Sequence, residues 1–430
     1  MQDLQVTVTE LPTFRVTGVQ PGVRSIDVNL SGDVDLDVLN LYDGQDAAVD
    51  AADVTLIGQN VGAVRGSLVW NASSRTLTFL KSGGPLDPDT YTLSLFSRAD
   101  GLVNVAGELL DGDSNGVPGG DFSTSFTVDP STDRLLFIPD IVRGPGQPVN
   151  VPATSTGIPV SIDNANGLTQ VDFTLQYDSA LLDITAVTLA SGLPGDWMLT
   201  TADVSTPGQV VVSLAGTTPL SAGSADLAVL TAEVPFAAEY GDAQLLRFQS
   251  TALNQGAIGV RASESLHTAV YFGDATGNGS YSALDASLIS RTAVGLDTGF
   301  DAFDRIDPVL IGDVTGNGSL SALDASFVSR KAVGLPQPEI PDLPPAPPLT
   351  SPNLESQSPL AIDTSEVVSL SEDERLAALH GEPNVETSRL QQRAPQSLGR
   401  QHCDRSAGQQ EGLRELPRLP QEQRVGDDGF

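Results

Sequence analysis

Two twelve-residue stretches place oxygen-bearing side chains at nearly alternate positions. The first reads DATGNGSYSALD from Asp274 to Asp285, and the second reads DVTGNGSLSALD from Asp313 to Asp324. In both, residues 1, 3, 5, 7, 9 and 12 of the loop carry carboxylate, hydroxyl or amide oxygens, and residue 6 is glycine. Calcium is a hard cation that takes six to eight oxygens, and glycine lets the backbone turn round the ion. The spacing therefore predicts two calcium loops, each holding one ion.

The predicted ligands correspond between the loops. In the first loop they are Asp274, Thr276, Asn278, Ser280 through its backbone carbonyl, and Asp285. In the second loop they are Asp313, Thr315, Asn317, Ser319 through its carbonyl, and Asp324. Ser282 and Ser321, at position 9, are expected to hold a water. Threonine at position 3 leaves two carboxylates per loop, so we expect weakened calcium affinity, because ligand charge tunes binding.

The surrounding sequence repeats together with the loops. Between 274–296 and 313–335, 18 of 23 positions are identical, at an offset of 39 residues. Each loop leads into an apolar pattern of helical period, which ends at Gly295 or Gly334. The alternative is a pair of Asx/Gly surface turns. Two full copies, each followed by the same helix pattern, favour the metal site over that alternative.

These paired loop–helix units resemble a type I dockerin, and we identify residues 273–335 as a dockerin-like domain. The resemblance implies two calcium ions, a cohesin partner and a docking surface on the helices. By position, the implied partner-binding residues are Ala283, Leu284, Arg291, Ala322, Leu323 and Arg330. The offset of 39 residues is longer than is usual for the family, because it includes the segment DTGFDAFDRIDPVLIG.

The elements before the loops read as β-structure. Residues 1–128 show short alternating strands, including a hairpin through GSLVWNASSRTLTFL, and resemble a bacterial Ig-like domain of the spacer kind. Residues 134–272 alternate strongly, and the run VDFTLQYDSALLDITAV resembles the cohesin family. That resemblance implies a nine-stranded jelly-roll sandwich with one sheet face that binds a dockerin. The fold class is therefore mainly β, followed by a small helical module.

The last part of the chain changes composition. Residues 336–352 are rich in proline and predict an extended linker. Residues 353–430 lack apolar periodicity, and we expect them to be disordered. A reading-frame error is an alternative origin for that stretch.

Charge and composition narrow the function classes. The net charge is −33 with two lysines, which argues against nucleic acid as a partner, and no apolar run is long enough for a membrane span. The start lacks an export signal, so a truncated start is expected for a protein that is extracellular or at the cell surface. His267 is the one histidine before residue 353, and no catalytic motif accompanies it, so we predict that the chain is not an enzyme.

The residues leave several functions open. The first is a non-catalytic assembly protein whose partners are cohesin-bearing or dockerin-bearing proteins, including other copies of itself. The second is the accessory part of a polysaccharide-degrading glycoside hydrolase. The third is a carbohydrate-binding surface protein, for which Trp197 would have to be an exposed platform; a core or loop-anchor role is the alternative.

Overall fold

The computed structural model describes residues 13–44 and 52–345. Residues 13–128, the N-terminal sandwich, form two four-stranded antiparallel sheets with strand orders β1-β2-β6-β5 and β4-β3-β7-β8. The strands are β1 Val16–Pro21, β2 Ser25–Leu30, β3 Val54–Gly58, β4 Gly62–Ala63, β5 Gly66–Asn71, β6 Thr76–Lys81, β7 Asp89–Leu95 and β8 Phe122–Val128.

Alternation explains why these residues pair as strands. In β7, Tyr91, Leu93 and Leu95 are fully buried, while the residues between them are only partly buried. Successive strand side chains point to opposite faces, so one face of β7 enters the core. The predicted hairpin is confirmed as β5 and β6, which pair from Gly66 with Lys81 to Asn71 with Thr76.

Residues 134–272, the central sandwich, form a five-stranded sheet with order β13-β16-β11-β9-β18 and a six-stranded sheet with order β10-β19-β17-β12-β15-β14. The strands are β9 Arg134–Phe137, β10 Ile141–Val142, β11 Ile158–Ile162, β12 Gln170–Gln176, β13 Asp183–Leu189, β14 Met198–Asp203, β15 Gln209–Ala215, β16 Ala225–Glu233, β17 Ala243–Leu253, β18 Val260–Ala262 and β19 Ser265–Thr268. The described strands number eleven, two more than the nine implied by resemblance, and β10 and β18 are only two and three residues long.

Inward residues of both sheets fill the core of the central sandwich. Phe173 and Leu175 of β12 lie opposite Val212 and Val210 of the neighbouring strand β15, and all four are buried. The core also takes in Trp197, which is 4% exposed and donates its indole N–H to the Thr218 carbonyl at 2.9 Å. Trp197 is therefore a loop anchor, and its ring cannot serve as a sugar platform.

Residues 273–345, the helical module, contain three α-helices, α1 Ala283–Ala293, α2 Pro308–Gly312 and α3 Ala322–Ala332, and one short 3-10 helix, Asp301–Phe303. Helices α1 and α3 follow the two loops, as predicted, and the glycines after them, Gly295 and Gly334, have φ of 73° and 75°. Such left-handed values favour glycine and end a helix. Helix α2 was not predicted, although Asp307 followed by Pro308 is a typical helix start.

One apolar core joins the helical module to both sandwiches. It contains Ile289 and Val328 from the helices, Leu80 from the N-terminal sandwich, and Leu266 and Val270 from the central sandwich. All five side chains are at most 1% exposed. The module is therefore packed into the rest of the described chain.

The proline-rich segment is not simply an extended linker where the structure describes it. Ile340 is buried, and its carbonyl accepts a hydrogen bond from Lys331 Nζ at 2.8 Å. The Asp342 carbonyl accepts one from Gln147 Nε2 at 2.9 Å. The prediction missed these contacts because single apolar residues among prolines carry no periodic signal. The predicted disordered stretch, 353–430, lies outside the described residues.

Helices of the described part of the chain are all too short or too polar to cross a lipid bilayer.

Candidate functional site

The first loop is organised around a buried carboxylate. Asp274 is 0% exposed. Its Oδ1 accepts hydrogen bonds from Thr276 Oγ1 at 3.0 Å and from the backbone N–H groups of Gly277 and Asn278 at 3.0 and 3.3 Å. Its Oδ2 accepts from the Gly279 N–H at 2.7 Å. The loop backbone thus wraps round this side chain.

Asp285 closes the same loop. Its Oδ1 accepts from the Thr276 N–H at 2.8 Å, and its Oδ2 accepts from the Ser282 N–H at 2.7 Å and from the Ser282 hydroxyl at 2.8 Å. Ser282 is also the N-cap of α1, so one capping box both starts the helix and places the last carboxylate of the loop.

The second loop repeats this arrangement. Asp313 accepts hydrogen bonds from Thr315 Oγ1 at 3.1 Å, from the Asn317 N–H at 3.1 Å and from the Gly318 N–H at 2.6 Å. Asp324 accepts from the Thr315 N–H at 2.9 Å and closes a capping box with Ser321. Equivalent residues of the two loops, 39 positions apart in sequence, therefore form equivalent hydrogen bonds.

The residues at positions 5 and 7 lie at the exposed side of each loop. Asn278 Oδ1 accepts hydrogen bonds from the Ser280 N–H at 2.9 Å and the Ser280 hydroxyl at 2.7 Å. Asn317 and Ser319 form the same pair at 3.0 and 2.8 Å. Gly279 and Gly318, at position 6, have φ of 76° and 86°, a backbone conformation that glycine adopts without strain.

The donor set suits a hard cation. Burial raises the pKa of Asp274, and the neighbouring Asp285 carboxylate raises it further. Two carboxylates brought together in a buried place are stabilised by a bound cation. Among the described residues no three His, Cys, Asp or Glu side chains form a metal cluster. Each loop offers two carboxylates together with hydroxyl, amide and carbonyl oxygens. Such an all-oxygen set fits calcium.

A tyrosine outside the repeat also contacts the first loop. Tyr240, between β16 and β17, donates its hydroxyl to Asp274 Oδ2 at 2.5 Å. Its ring packs against Tyr271, with ring centroids 5.3 Å apart. Sequence reasoning missed Tyr240, because it precedes Asp274 by 34 residues and belongs to no motif.

The predicted docking residues are not equivalent in the two repeats. Leu284 and Leu323 are 53% and 52% exposed, and Ala283 and Ala322 beside them are exposed as well. Arg291, by contrast, forms an ion pair with the Asp297 carboxylate at 2.6 Å, whereas Arg330 donates Nε to the neutral Gln337 Oε1 at 3.1 Å. The exposed leucines of both repeats are thus available at the surface, but the two arginines differ.

The longer spacing between the loops has a structural role. The backbone N–H groups of Thr298 and Gly299 donate to the Asp43 carbonyl at 2.8 and 2.9 Å, and the Leu68 N–H donates to the Arg305 carbonyl at 2.8 Å. Arg65 Nη2 contacts Asp307 Oδ1 at 2.5 Å. The inserted residues therefore attach the helical module to the N-terminal sandwich.

The six-stranded sheet of the central sandwich has a largely polar outer face. On β12 the partly buried or exposed residues are Gln170, Asp172, Thr174 and Gln176. Towards β17, Arg247 Nη2 contacts Asp27 Oδ1 of the N-terminal sandwich at 2.6 Å. A cleft of about 680 Å³ lies between the two sandwiches at this side. The N-terminal sandwich thus covers the β17 side of the face, and β12, β15 and β14 lie beyond it.

A family model described as Cohesin domain matches residues 146–260. These residues are a cohesin domain. They take in β11 to β17 and contain Tyr240, so the tyrosine that contacts the first loop belongs to the cohesin domain. A cohesin domain is a non-catalytic interaction module.

Solved structures are similar to about a third of the chain. The sixth cohesin of scaffoldin B from Acetivibrio cellulolyticus, in complex with a Cel5 dockerin, is 16% identical with a TM-score of 0.27, covering 32% of this chain and 99% of that chain. The Coh-OlpA–Doc918 complex from Clostridium thermocellum is 16% identical with a TM-score of 0.26, covering 32% and 99%. A non-cellulosomal cohesin from the archaeon Archaeoglobus fulgidus is 15% identical with a TM-score of 0.26, covering 32% and 90%. No curated protein sequence is significantly similar to the chain.

Just after the cohesin domain, the structure gives His267 a structural place. Its side chain is fully buried on β19, and burial lowers its pKa to about 4. Its Nδ1 lies 3.2 Å from Gln244 Nε2, with which it shares a hydrogen bond. This histidine is neutral at pH 7 and packed beneath the surface, as a structural residue would be.

Proposed function

We propose that the chain is a non-catalytic assembly protein of the cell exterior, whose cohesin domain binds a dockerin-type partner. The match of residues 146–260 to the cohesin family carries this proposal. The outer face of β12, β15 and β14 supports it, because a flat, partly polar sheet face can pack against helices. Phe173 and Leu175 hold that sheet from below, so its surface is rigid before a partner arrives.

The helical module acts as a dockerin-like second binding module. Calcium would be held by the carboxylates, hydroxyls and amides of the two loops, and it would neutralise the paired aspartates. With the loops fixed, α1 and α3 hold Leu284 and Leu323 outward on firm helix starts. Both leucines are more than half exposed, so their side chains are accessible to a partner.

The N-terminal sandwich serves as an Ig-like spacer that is fixed to the other two modules. The backbone hydrogen bonds from Thr298, Gly299 and Leu68, together with the Arg65–Asp307 contact, support this role. A partner that docks on either binding module would therefore meet a rigid three-part body. The link to polysaccharide breakdown is a further part of the proposal that comes from the dockerin resemblance, and binding to a glycan array would test it.

Surface plasmon resonance tests the proposed assembly. The full chain is immobilised and exposed to a panel of purified dockerin modules, purified cohesin modules and soluble full chain, in calcium and in EGTA. We expect at least one dockerin to bind, and binding of a cohesin to the helical module only in calcium. If no dockerin, cohesin or second copy binds in either buffer, the assembly function is wrong.

Self-association is a distinct outcome of the same proposal. A helical module that binds the cohesin domain of another copy makes a head-to-tail contact, which produces open chains. Light scattering after size exclusion then shows masses that grow with concentration in calcium. A monomer at all concentrations would exclude self-assembly and leave heterologous partners.

A further inference from the structure

The hydroxyl of Tyr240 is fixed between two polar groups. It donates to Asp274 Oδ2 at 2.5 Å and accepts the backbone N–H of Tyr271 at 3.1 Å. The ring is held by its contact with Tyr271. Because donor and acceptor roles are both used, the phenol holds one orientation, and it holds the Asp274 carboxylate in one orientation too.

The second loop has no comparable contact in the described part of the chain. The Asp313 carboxylate accepts hydrogen bonds from Thr315, Asn317 and Gly318, all within its own loop. Asp313 is 7% exposed and lines a cleft of about 660 Å³, whereas Asp274 is 0% exposed and is contacted by Tyr240. The two loops are therefore nearly identical in sequence and different in surroundings.

The first loop is enclosed in a second way. At position 8 it has Tyr281, whose hydroxyl donates to the Pro341 carbonyl at 3.2 Å, where the second loop has Leu320. Gly277 approaches Ala302 so closely that an added Cβ would lie 2.7 Å from the Ala302 side chain. Both contacts are with residues of the helical module itself, so the first loop is enclosed by its own module on this side, while Tyr240 reaches it from the cohesin domain.

We propose that Tyr240 of the cohesin domain is a positioning residue for calcium in the first loop, and that calcium there strengthens the attachment of the helical module to the cohesin domain. The inference rests on the proposed calcium binding. The loop already holds both oxygens of the Asp274 carboxylate, and the phenol adds one contact from outside the loop to Oδ2. Loss of such an outer contact to a metal ligand costs metal affinity. Coupling between two interactions is reciprocal. If the Tyr240–Asp274 contact strengthens calcium binding, bound calcium strengthens that contact by the same factor.

Calorimetric calcium titration of the full chain, with one loop disabled at a time, tests the inference. Asp313→Asn leaves the first loop as the main site, and adding Tyr240→Phe should weaken its calcium binding about 10-fold or more. Asp274→Asn leaves the second loop, where adding Tyr240→Phe should change nothing. Retained binding at the second loop also shows that the variant is folded.

Tyr271→Phe is the matched control. Its hydroxyl donates to the Pro145 carbonyl at 3.1 Å and contacts neither carboxylate, so calcium affinity at the first loop should stay within about twofold. Unchanged first-loop affinity in the Asp313→Asn/Tyr240→Phe variant would overturn the inference and leave calcium binding intact. If the unsubstituted chain binds no calcium, both the role of Tyr240 and the proposed calcium binding are wrong. The two failures therefore give different results.

Discussion

Arg291 holds the Asp297 carboxylate with two hydrogen bonds, from Nε to Oδ2 and from Nη2 to Oδ1, each at 2.6 Å. In the second repeat, Arg330 has a neutral neighbour, Gln337, and the position equivalent to Asp297 is Pro336. The two repeats have identical residues at the positions implied for docking. Their arginines nevertheless have different hydrogen-bond partners. The Arg291 guanidinium is thus engaged by a carboxylate of its own module, whereas Arg330 has no acidic partner among the described residues. We infer that Arg291 is mainly structural and that Arg330 is free to meet a partner's carboxylate.

Arg291→Ala should lower the midpoint of thermal unfolding of the chain in calcium. It leaves Asp297, which is 5% exposed, as a buried carboxylate without its ion-pair partner. Circular dichroism measured during heating gives this midpoint. Arg330→Ala is the matched control and should leave the midpoint unchanged while weakening binding to a cohesin partner. Equal midpoints for the two variants would contradict the assignment.

Asp307→Ala should destabilise the junction between the helical module and the N-terminal sandwich. The carboxylate caps α2 by accepting the Val309 N–H at 3.0 Å, and it contacts Arg65 Nη2. We expect a loss of about 1–2 kcal/mol in the free energy of unfolding, mostly from the cap. Urea denaturation measures it.

Asp307→Asn retains the capping oxygen and should cost less than the alanine variant. Arg65→Ala should also destabilise the junction, because it leaves the Asp307 carboxylate, whose side chain is 1% exposed, without its ion-pair partner. Its cost should stay below that of Asp307→Ala, since Arg65 is more than half exposed and the cap of α2 is kept. If Arg65→Ala costs as much as Asp307→Ala, the ion pair rather than the cap stabilises the junction.

His267 should make the stability of the chain depend on pH. Burial lowers its pKa from 6.5 to about 4, and the nearby Arg143 charge acts in the same direction. Because the unfolded chain binds the proton first, the contribution is complete above about pH 6.5 and is lost as the pH falls from there towards 4. The loss amounts to about 3 kcal/mol at most, since each pKa unit corresponds to 1.36 kcal/mol.

Urea denaturation in EGTA between pH 7 and 4.5 measures this dependence. His267→Leu has no titrating group at the position and should show a flatter dependence over that range. The same slope in both proteins would show that other groups cause the pH effect.

Local patterns predicted the elements well. The alternation of β5, β6 and β12 and the helical period of α1 and α3 come from short stretches in which one face is buried. The loops were predictable for the same reason, because most hydrogen bonds of Asp274 and Asp285 come from within the same twelve residues. Local sequence is sufficient where the physical interactions are local.

Contacts between modules could not be predicted. Tyr240 meets Asp274, Leu80 enters the core of the helical module, and Asp43 receives the N–H groups of Thr298 and Gly299, all across long separations in sequence. None of these residues has a periodic or motif signal of its own. The partner of each arginine could not be predicted either. Arg291 and Arg330 follow nearly identical sequences and differ in the residue that the next turn places beside them, Asp297 or Gln337.

The central claim is that the two loops of the helical module bind calcium. Calorimetric titration of the unsubstituted full chain with calcium, followed by circular dichroism, tests it most directly. The account predicts two calcium ions per chain, with unequal affinities, and a higher unfolding midpoint in calcium than in EGTA, because the ion binds the folded loops. No heat of binding and the same midpoint in both buffers would contradict it.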